Sequence, residues 1–131
     1  MVDGTTLGKE VMLNIAVENI GELAVVECEG RLVQSEAAHQ LREAVTLQTD
    51  ARIVVLDLCA VSAVGGVGFG TLVFLRRWAH EHNVRFLVFD PSKSVQKKLN
   101  RARSSAEFYI PSFEEMMALM ACANSRYALA A

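Results

Sequence analysis

The sequence lacks the features that mark a secreted, membrane-spanning or metal-binding chain. Its three cysteines, Cys28, Cys59 and Cys122, are far apart and form no C-x-x-C pair, so they indicate neither a disulfide framework nor a zinc site. No apolar run approaches the ~20 residues of a membrane helix, and the first residues lack the basic and apolar segments of a signal peptide. We expect a cytoplasmic protein with reduced, buried thiols and no membrane insertion.

A strong charge of either sign is also absent. The chain has 13 Lys and Arg against 15 Asp and Glu, a net charge of −2, which gives no general attraction to nucleic acid. His39, His80 and His82 show no catalytic or metal-ligand spacing and are interpreted as surface residues of helices. The sequence therefore predicts no catalytic residue, no metal site, no cofactor and no direct contact with nucleic acid.

The length of 131 residues fits one domain. Residues 1–10 show no periodicity and are predicted to be a flexible tail. The domain is predicted to cover residues 11–120, and residues 121–131 form a C-terminal extension whose order the sequence does not decide. The hydrophobic fraction of 52% indicates a well-filled core or an apolar partner surface.

The hydrophobic periodicity predicts alternating strands and helices. Residues 11–17 and 23–28 read as a β-hairpin, and residues 35–47 read as an amphipathic helix with Ser35 as its N-cap. The nearly continuous apolar run 53–58 is typical of a central strand covered on both faces.

In the second half of the chain, residues 69–82 predict a helix that stops at Asn83, and 84–89 predict another buried strand. Ser92 can cap a third helix. A short strand at 108–110 and a final helix carrying Phe113 and several methionines complete the pattern. This order predicts an α/β fold with a mixed sheet of four to five strands and about four helices.

The most distinctive segment is the glycine-rich stretch 64–70, between the central strand and the second helix. It has neither the Gly-Lys-Ser/Thr of a P-loop nor the G-x-G-x-x-G spacing, so nucleotide binding is a minor alternative that a thermal-shift screen with ATP and GTP would test. The simpler interpretation is structural, because glycines permit positive φ and close backbone approach. On that reading Gly68 and Gly70 let the helix start pack tightly.

Residues 56–72, which begin Leu-Asp-Leu and end in the glycine-rich stretch, resemble the signature of the STAS family. In that family a Leu-Asp/Asn-Leu strand leads to Asp-Ser-Ser/Thr-Gly, an apolar residue, a glycine and an apolar helix. Here Gly65, Gly66 and Val67 stand at the Asp-Ser-Ser positions, followed by Gly68 and Phe69. The resemblance extends over about residues 11–120 and includes the Gly-x-Leu that follows the family's second strand.

The resemblance implies a non-catalytic, protein-binding regulatory domain of the anti-sigma-factor-antagonist type, which acts in signalling to transcription. Its partner would be an anti-sigma factor or a kinase-like regulatory protein. Gly66 occupies the position of the serine that such a kinase phosphorylates, so the usual phosphoserine switch is expected to be missing. The predicted partner-binding residues are Ser62, Gly65, Gly66, Val67, Gly68, Phe69 and Arg76.

Two further interpretations stay open. STAS domains also accompany transporters, so the chain is alternatively an accessory module that binds a small molecule or a lipid-related partner near Phe69 and Phe74. The basic outer face of the third helix is either solvated surface or a docking site for an acidic partner or phosphate. Self-association to a homodimer is also left undecided.

Overall fold

The sheet has four strands whose spatial order follows the chain. The computed structural model describes residues 13–101 and 108–130, with side chains described up to residue 123. Strands β1 (Asn14–Ile20) and β2 (Leu23–Leu32) form an antiparallel hairpin. Strand β3 (Ile53–Val64) pairs in parallel with β2, and β4 (Arg85–Phe89) pairs in parallel with β3. The mixed sheet and its hairpin are confirmed, whereas the predicted tail 1–10 lies outside the described residues.

Four helices cover the two faces of this sheet: α1 (Ser35–Thr46), α2 (Gly66–Glu81), α3 (Lys93–Arg101) and α4 (Phe113–Ala130). Because alternate strand residues point to opposite faces, the core divides into two clusters. The larger cluster packs α1, α2 and α3 on one face, through residues such as Leu41, Leu72 and Leu99. The smaller one packs Met116 of α4 on the other face, against Leu23, Val25, Val55 and Leu87. Each leucine fully buried in this way stabilises the fold by about 1.5–3 kcal/mol.

The end of α2 is fixed by a backbone motif that depends on Asn83. This residue has a left-handed φ of 59°. Its N–H donates to the carbonyl of His80 at 3.3 Å, and the N–H of Val84 donates to the carbonyl of Ala79 at 2.8 Å. Those two bonds form a Schellman motif, in which asparagine is one of the few non-glycine residues tolerated. The predicted stop at Asn83 is confirmed.

The starts of the helices differ in how they are capped. Ser92 caps α3 as expected, since its Oγ accepts from the N–H of Val95 at 3.4 Å. At α4, Ser112 and Glu115 form a capping box: Ser112 Oγ accepts from the N–H of Glu115 at 3.1 Å, and Glu115 Oε1 accepts from that of Ser112 at 2.9 Å. The prediction that Ser35 caps α1 is wrong, because Gln34 holds the cap position without a side-chain bond and Ser35 is already helical.

Several boundaries also differ from the sequence-based expectation. β3 continues to Val64, six residues beyond the predicted end, and α2 begins at Gly66 instead of residue 69. The short strand expected at 108–110 is a single parallel bridge between Tyr109 and Leu87. Helix α4 runs past residue 120 without a break, and the division of the chain at that residue stays a prediction.

Candidate functional site

The turn between β3 and α2 places the glycine-rich segment at the edge of the sheet where the parallel strands end. Gly65 is the N-cap of α2, and no side chain caps the helix there. Its N–H donates to the carbonyl of Leu32, the last residue of β2, at 2.9 Å, and its carbonyl accepts from the N–H of Phe69 at 2.8 Å. The helix start is therefore held to the neighbouring strand by one main-chain bond, and a second bond closes the first turn of the helix.

Gly68 lets the first turn of α2 lie directly on the end of β2. A Cβ at this position would lie 2.2 Å from the carbonyl oxygen of Leu32 and 2.7 Å from its Cγ. The predicted tight packing at Gly68 is thus confirmed. The same prediction for Gly70 is wrong, because nothing lies within 4 Å of a Cβ built there. Positive φ is not used in this turn either; among the described glycines it occurs at Gly21 and Gly30.

Gly66, the position aligned with the family's phosphorylated serine, is the first residue of α2 and is exposed. A Cβ there meets nothing within 4 Å, and the backbone φ is not positive. Neither the space nor the backbone therefore requires glycine. A serine would fit at this position, so the missing hydroxyl is not imposed by the fold.

The nearest hydroxyl groups in the segment do not replace the missing one. Ser62 is exposed but lies within β3, where its Oγ donates to the carbonyl of Gly30 at 3.3 Å. Thr71 is on the buried face of α2 and is only 2% exposed. Neither hydroxyl is thus both exposed and in the first turn of α2.

The other predicted binding residues lie on different sides of α2. Val67 is 48% exposed in the first turn. Phe69 is half-buried and packs edge-to-face on Phe108, with ring centroids 6.1 Å apart. Arg76 is exposed, but nine residues at 100° each place it about 180° around the helix from Val67 and about 14 Å further along it. The structure therefore brings Gly65, Gly66 and Val67 together and separates Arg76 from them.

Two contacts at this surface were not found from the sequence. Lys98 of α3 donates from Nζ to the carbonyl of Val64 at 2.8 Å, which brings its ammonium group to the turn. On the other flank, the guanidinium of Arg42 in α1 lies 4.5 Å from the ring centroid of Phe74, which is 40% exposed. The sequence signals were the basic face for Lys98 and the exposed helical position for Arg42, but neither indicates the residue contacted.

The electrostatics of the turn favour a negatively charged group. The first N–H groups of a helix have no partners within the helix and carry a positive partial charge. α2 has no acidic residue in its first turn, and the ammonium of Lys98 adds positive charge beside it. An incoming carboxylate would consequently meet no repulsion from the first turn of α2.

The cysteines do not form part of this surface. All three are free, but Cys59 and Cys122 are exposed, so the prediction that they are buried is wrong. Burial, with a smaller effect of Asp57, raises the pKa of the Cys28 thiol to about 12. A hydrogen bond with Asp57 is the main cause that raises the pKa of Cys59 to about 11. Both thiols are thereby made less nucleophilic at neutral pH.

The described part of the chain contains no cluster of His, Cys, Asp and Glu that is placed to hold a metal ion. His39, His80 and His82 are all exposed, as the sequence predicted. None of the described helices is long and apolar enough to cross a bilayer.

Comparison with known proteins gives the family. The model of the STAS domain matches residues 14–116, and the chain belongs to this family. No curated protein sequence matches closely enough to show a relationship.

The similar solved structures include two anti-sigma factor antagonists. Bacillus SpoIIAA in its unphosphorylated form is 17% identical, with a TM-score of 0.66 over 79% of this chain and 93% of that chain. An antagonist from Mycobacterium paratuberculosis is 19% identical, with a TM-score of 0.68 over 82% and 93%. SLC26A9 also matches, at 11% identity and a TM-score of 0.70, over 95% of this chain but 27% of that chain. At these identities the likeness is one of fold.

Proposed function

We propose that this chain is a non-catalytic regulator of the anti-sigma-factor-antagonist type that binds an anti-sigma factor or a related kinase-like protein in the cytoplasm. It binds through the exposed first turn of α2, defined here as the α2-start surface and formed by Gly65, Gly66 and Val67. The family and the antagonist-like fold support the class of partner. Its role is in signalling to transcription.

The exposed valine at the start of α2 carries this proposal. Val67 leaves 48% of its surface accessible, and Gly66 beside it has no side chain, so a partner can approach the helix end closely. Covering the exposed part of a valine contributes about 1 kcal/mol to binding. The N–H groups of the helix start that have no partner within the helix can donate hydrogen bonds to an acidic side chain of the partner.

Binding at this surface is not controlled by a phosphate on the helix start. Gly66 has no hydroxyl, Ser62 lies in β3, and Thr71 is buried. In a switched antagonist, a phosphoserine would bring about −1.5 to −2 charges to the contact and disrupt it. Without a hydroxyl at the helix start, this chain gains no such charge whether or not the kinase and ATP are present.

Val67→Asp tests the location of the contact. A charge buried against the partner should weaken binding of the anti-sigma factor encoded nearest to this gene at least ten-fold by isothermal titration calorimetry. The matched control is Val17→Asp on β1, since Val17 is 38% exposed and lies on a different element. That variant should bind as the wild type does.

Two results would contradict the proposal. If the two valine variants bind the partner with equal affinity, the partner does not contact the start of α2. A stable complex with a transport protein, and none with any anti-sigma factor, would instead support the accessory role that the sequence left open.

A further inference from the structure

Outside the α2-start surface, the described residues form a cavity of about 620 Å³ at the opposite edge of the sheet. It lies where the parallel strands begin, and the described residues that line it include Leu23, Arg52, Ile53, Arg85, Leu119 and Cys122. Its volume is within the ~300–1,000 Å³ of typical small-molecule sites. Nothing in the proposed protein-binding function uses this region.

The cavity exists because α4 covers the sheet unevenly. Met116, near the start of the helix, is 4% exposed and packs on the face of the sheet. One and two turns later, Leu119 and Ala123 are only half-buried. Between them and the first residues of the strands, Leu23 and Ile53, a mostly apolar space stays open.

The described residues at the rim of the cavity include two arginines and one glutamate. Arg52 pairs with Glu22 at 3.5 Å, from Nε to Oε2. Arg85 also lies on the rim and is exposed, and it makes no ion pair within 4 Å with any described residue. The carboxylate of Glu115 is close enough to Arg85 to interact with it electrostatically, but it is bound by Tyr109 and by the N–H of Ser112. The N–H groups of the Arg85 guanidinium therefore stay available to a ligand.

An apolar interior with a guanidinium at its rim that forms no ion pair with a described residue defines the chemistry of its occupant. We infer that this cavity binds a single-chain fatty-acyl carboxylate, whose tail lies along Leu23, Ile53 and Leu119 while its carboxylate pairs with Arg85. The carboxylate of such a ligand can pair with the guanidinium at the rim, and its hydrocarbon tail can fill the apolar interior. The asparagine of the α2 stop, Asn83, adds an amide at the same rim. This makes the domain a ligand-binding module as well as a protein-binding one.

Calorimetric titration of the full chain with decanoate, below its micelle concentration, and with decanol tests the inference. Arg85→Gln should weaken decanoate about five-fold and change decanol less than about two-fold, because only the carboxylate uses the guanidinium. Arg101→Gln is the matched control, since Arg101 is exposed on α3 and remote from the cavity lining. It should leave both affinities unchanged.

Cys122 provides a second readout that does not depend on a variant folding. It lines the cavity and is exposed, whereas Cys59 is exposed elsewhere on the sheet. Decanoate should slow the alkylation of Cys122 by iodoacetamide, measured by peptide mass spectrometry, without changing that of Cys59. Ala123→Phe should abolish both binding and protection by filling the space.

The inference fails if decanoate neither binds nor protects Cys122. It fails equally if Arg85→Gln affects decanoate and decanol alike. Since no partner protein is present in these experiments, their outcome is separate from that of the proposed protein-binding function.

Discussion

Replacing Gly68 by alanine tests the contact that holds the start of α2 on the sheet. The new Cβ would lie 2.2 Å from the carbonyl oxygen of Leu32, about 1 Å closer than van der Waals contact allows. That carbonyl cannot simply move away, because it also accepts the N–H of Gly65. Overpacking of this kind costs about 1–3 kcal/mol, and the obstacle here is main chain, which places the cost near the upper end.

The helix propensity of alanine opposes this cost. Alanine is about 1 kcal/mol more favourable than glycine inside a helix, so the net effect expected for Gly68→Ala is a loss of about 2 kcal/mol in the free energy of unfolding. Gly70→Ala is the matched control, since its Cβ meets nothing within 4 Å, and it should gain about 0.5–1 kcal/mol. Urea denaturation followed by circular dichroism measures both. A Gly68→Ala variant as stable as Gly70→Ala would refute the packing described here.

Two further predictions concern titratable groups. Asp57 is the main cause that raises the pKa of Cys59 from 9.0 to about 11. Asp57→Asn should therefore speed alkylation of Cys59 by up to about 100-fold at neutral pH. The alkylation rate of Cys122 is the internal reference, and an unchanged rate at Cys59 would refute the role of Asp57. Hydrogen bonds from Tyr109 and from the N–H of Ser112 lower the pKa of Glu115 below its usual 4.5. The charged carboxylate of Glu115 therefore stabilises the fold above pH 4.5. This stabilisation is lost as the pH falls below 4.5 and the carboxylate is protonated. Thermal melts from about pH 7 to about pH 3 should thus show a shallower loss of stability for Glu115→Gln than for the wild type, and parallel profiles would contradict that role.

The order of elements could be predicted from hydrophobic periodicity, since the buried strands and helix faces repeat apolar residues at the expected spacing. The true end of β3 could not be predicted from this periodicity. After Leu58 the strand continues through Cys59, Ala60 and Ser62, which are exposed, and a register shift against β2 interrupts the alternation there. An apolar run is a poor guide to a strand that is covered on one side only.

The start of α2 was misplaced for a related reason. Glycines have low helix propensity, so the pattern predicts a helix only from residue 69. In the structure, contact of Gly68 with Leu32 and the hydrogen bond of Gly65 hold this turn in helical form. Tertiary contacts outweigh local propensity here.

The candidate site was predictable in its position but not in its surroundings. Gly65, Gly66 and Val67 were located through the resemblance to the family signature. The bond from Lys98 to Val64 joins a helix to a strand residue 34 positions away. The contact of Arg42 with Phe74 joins two separate helices. Such pairings depend on how helices pack, which periodicity does not specify.

The measurement that tests the central claim most directly compares partner binding before and after incubation with the anti-sigma kinase and ATP. The wild type should gain no phosphate by intact mass and should keep its affinity. Gly66→Ser, whose Cβ meets nothing within 4 Å, should gain one phosphate and lose at least about ten-fold in affinity. Stoichiometric phosphate on Ser62 or Thr71 of the wild type, with loss of binding, would contradict a contact without a phosphate switch.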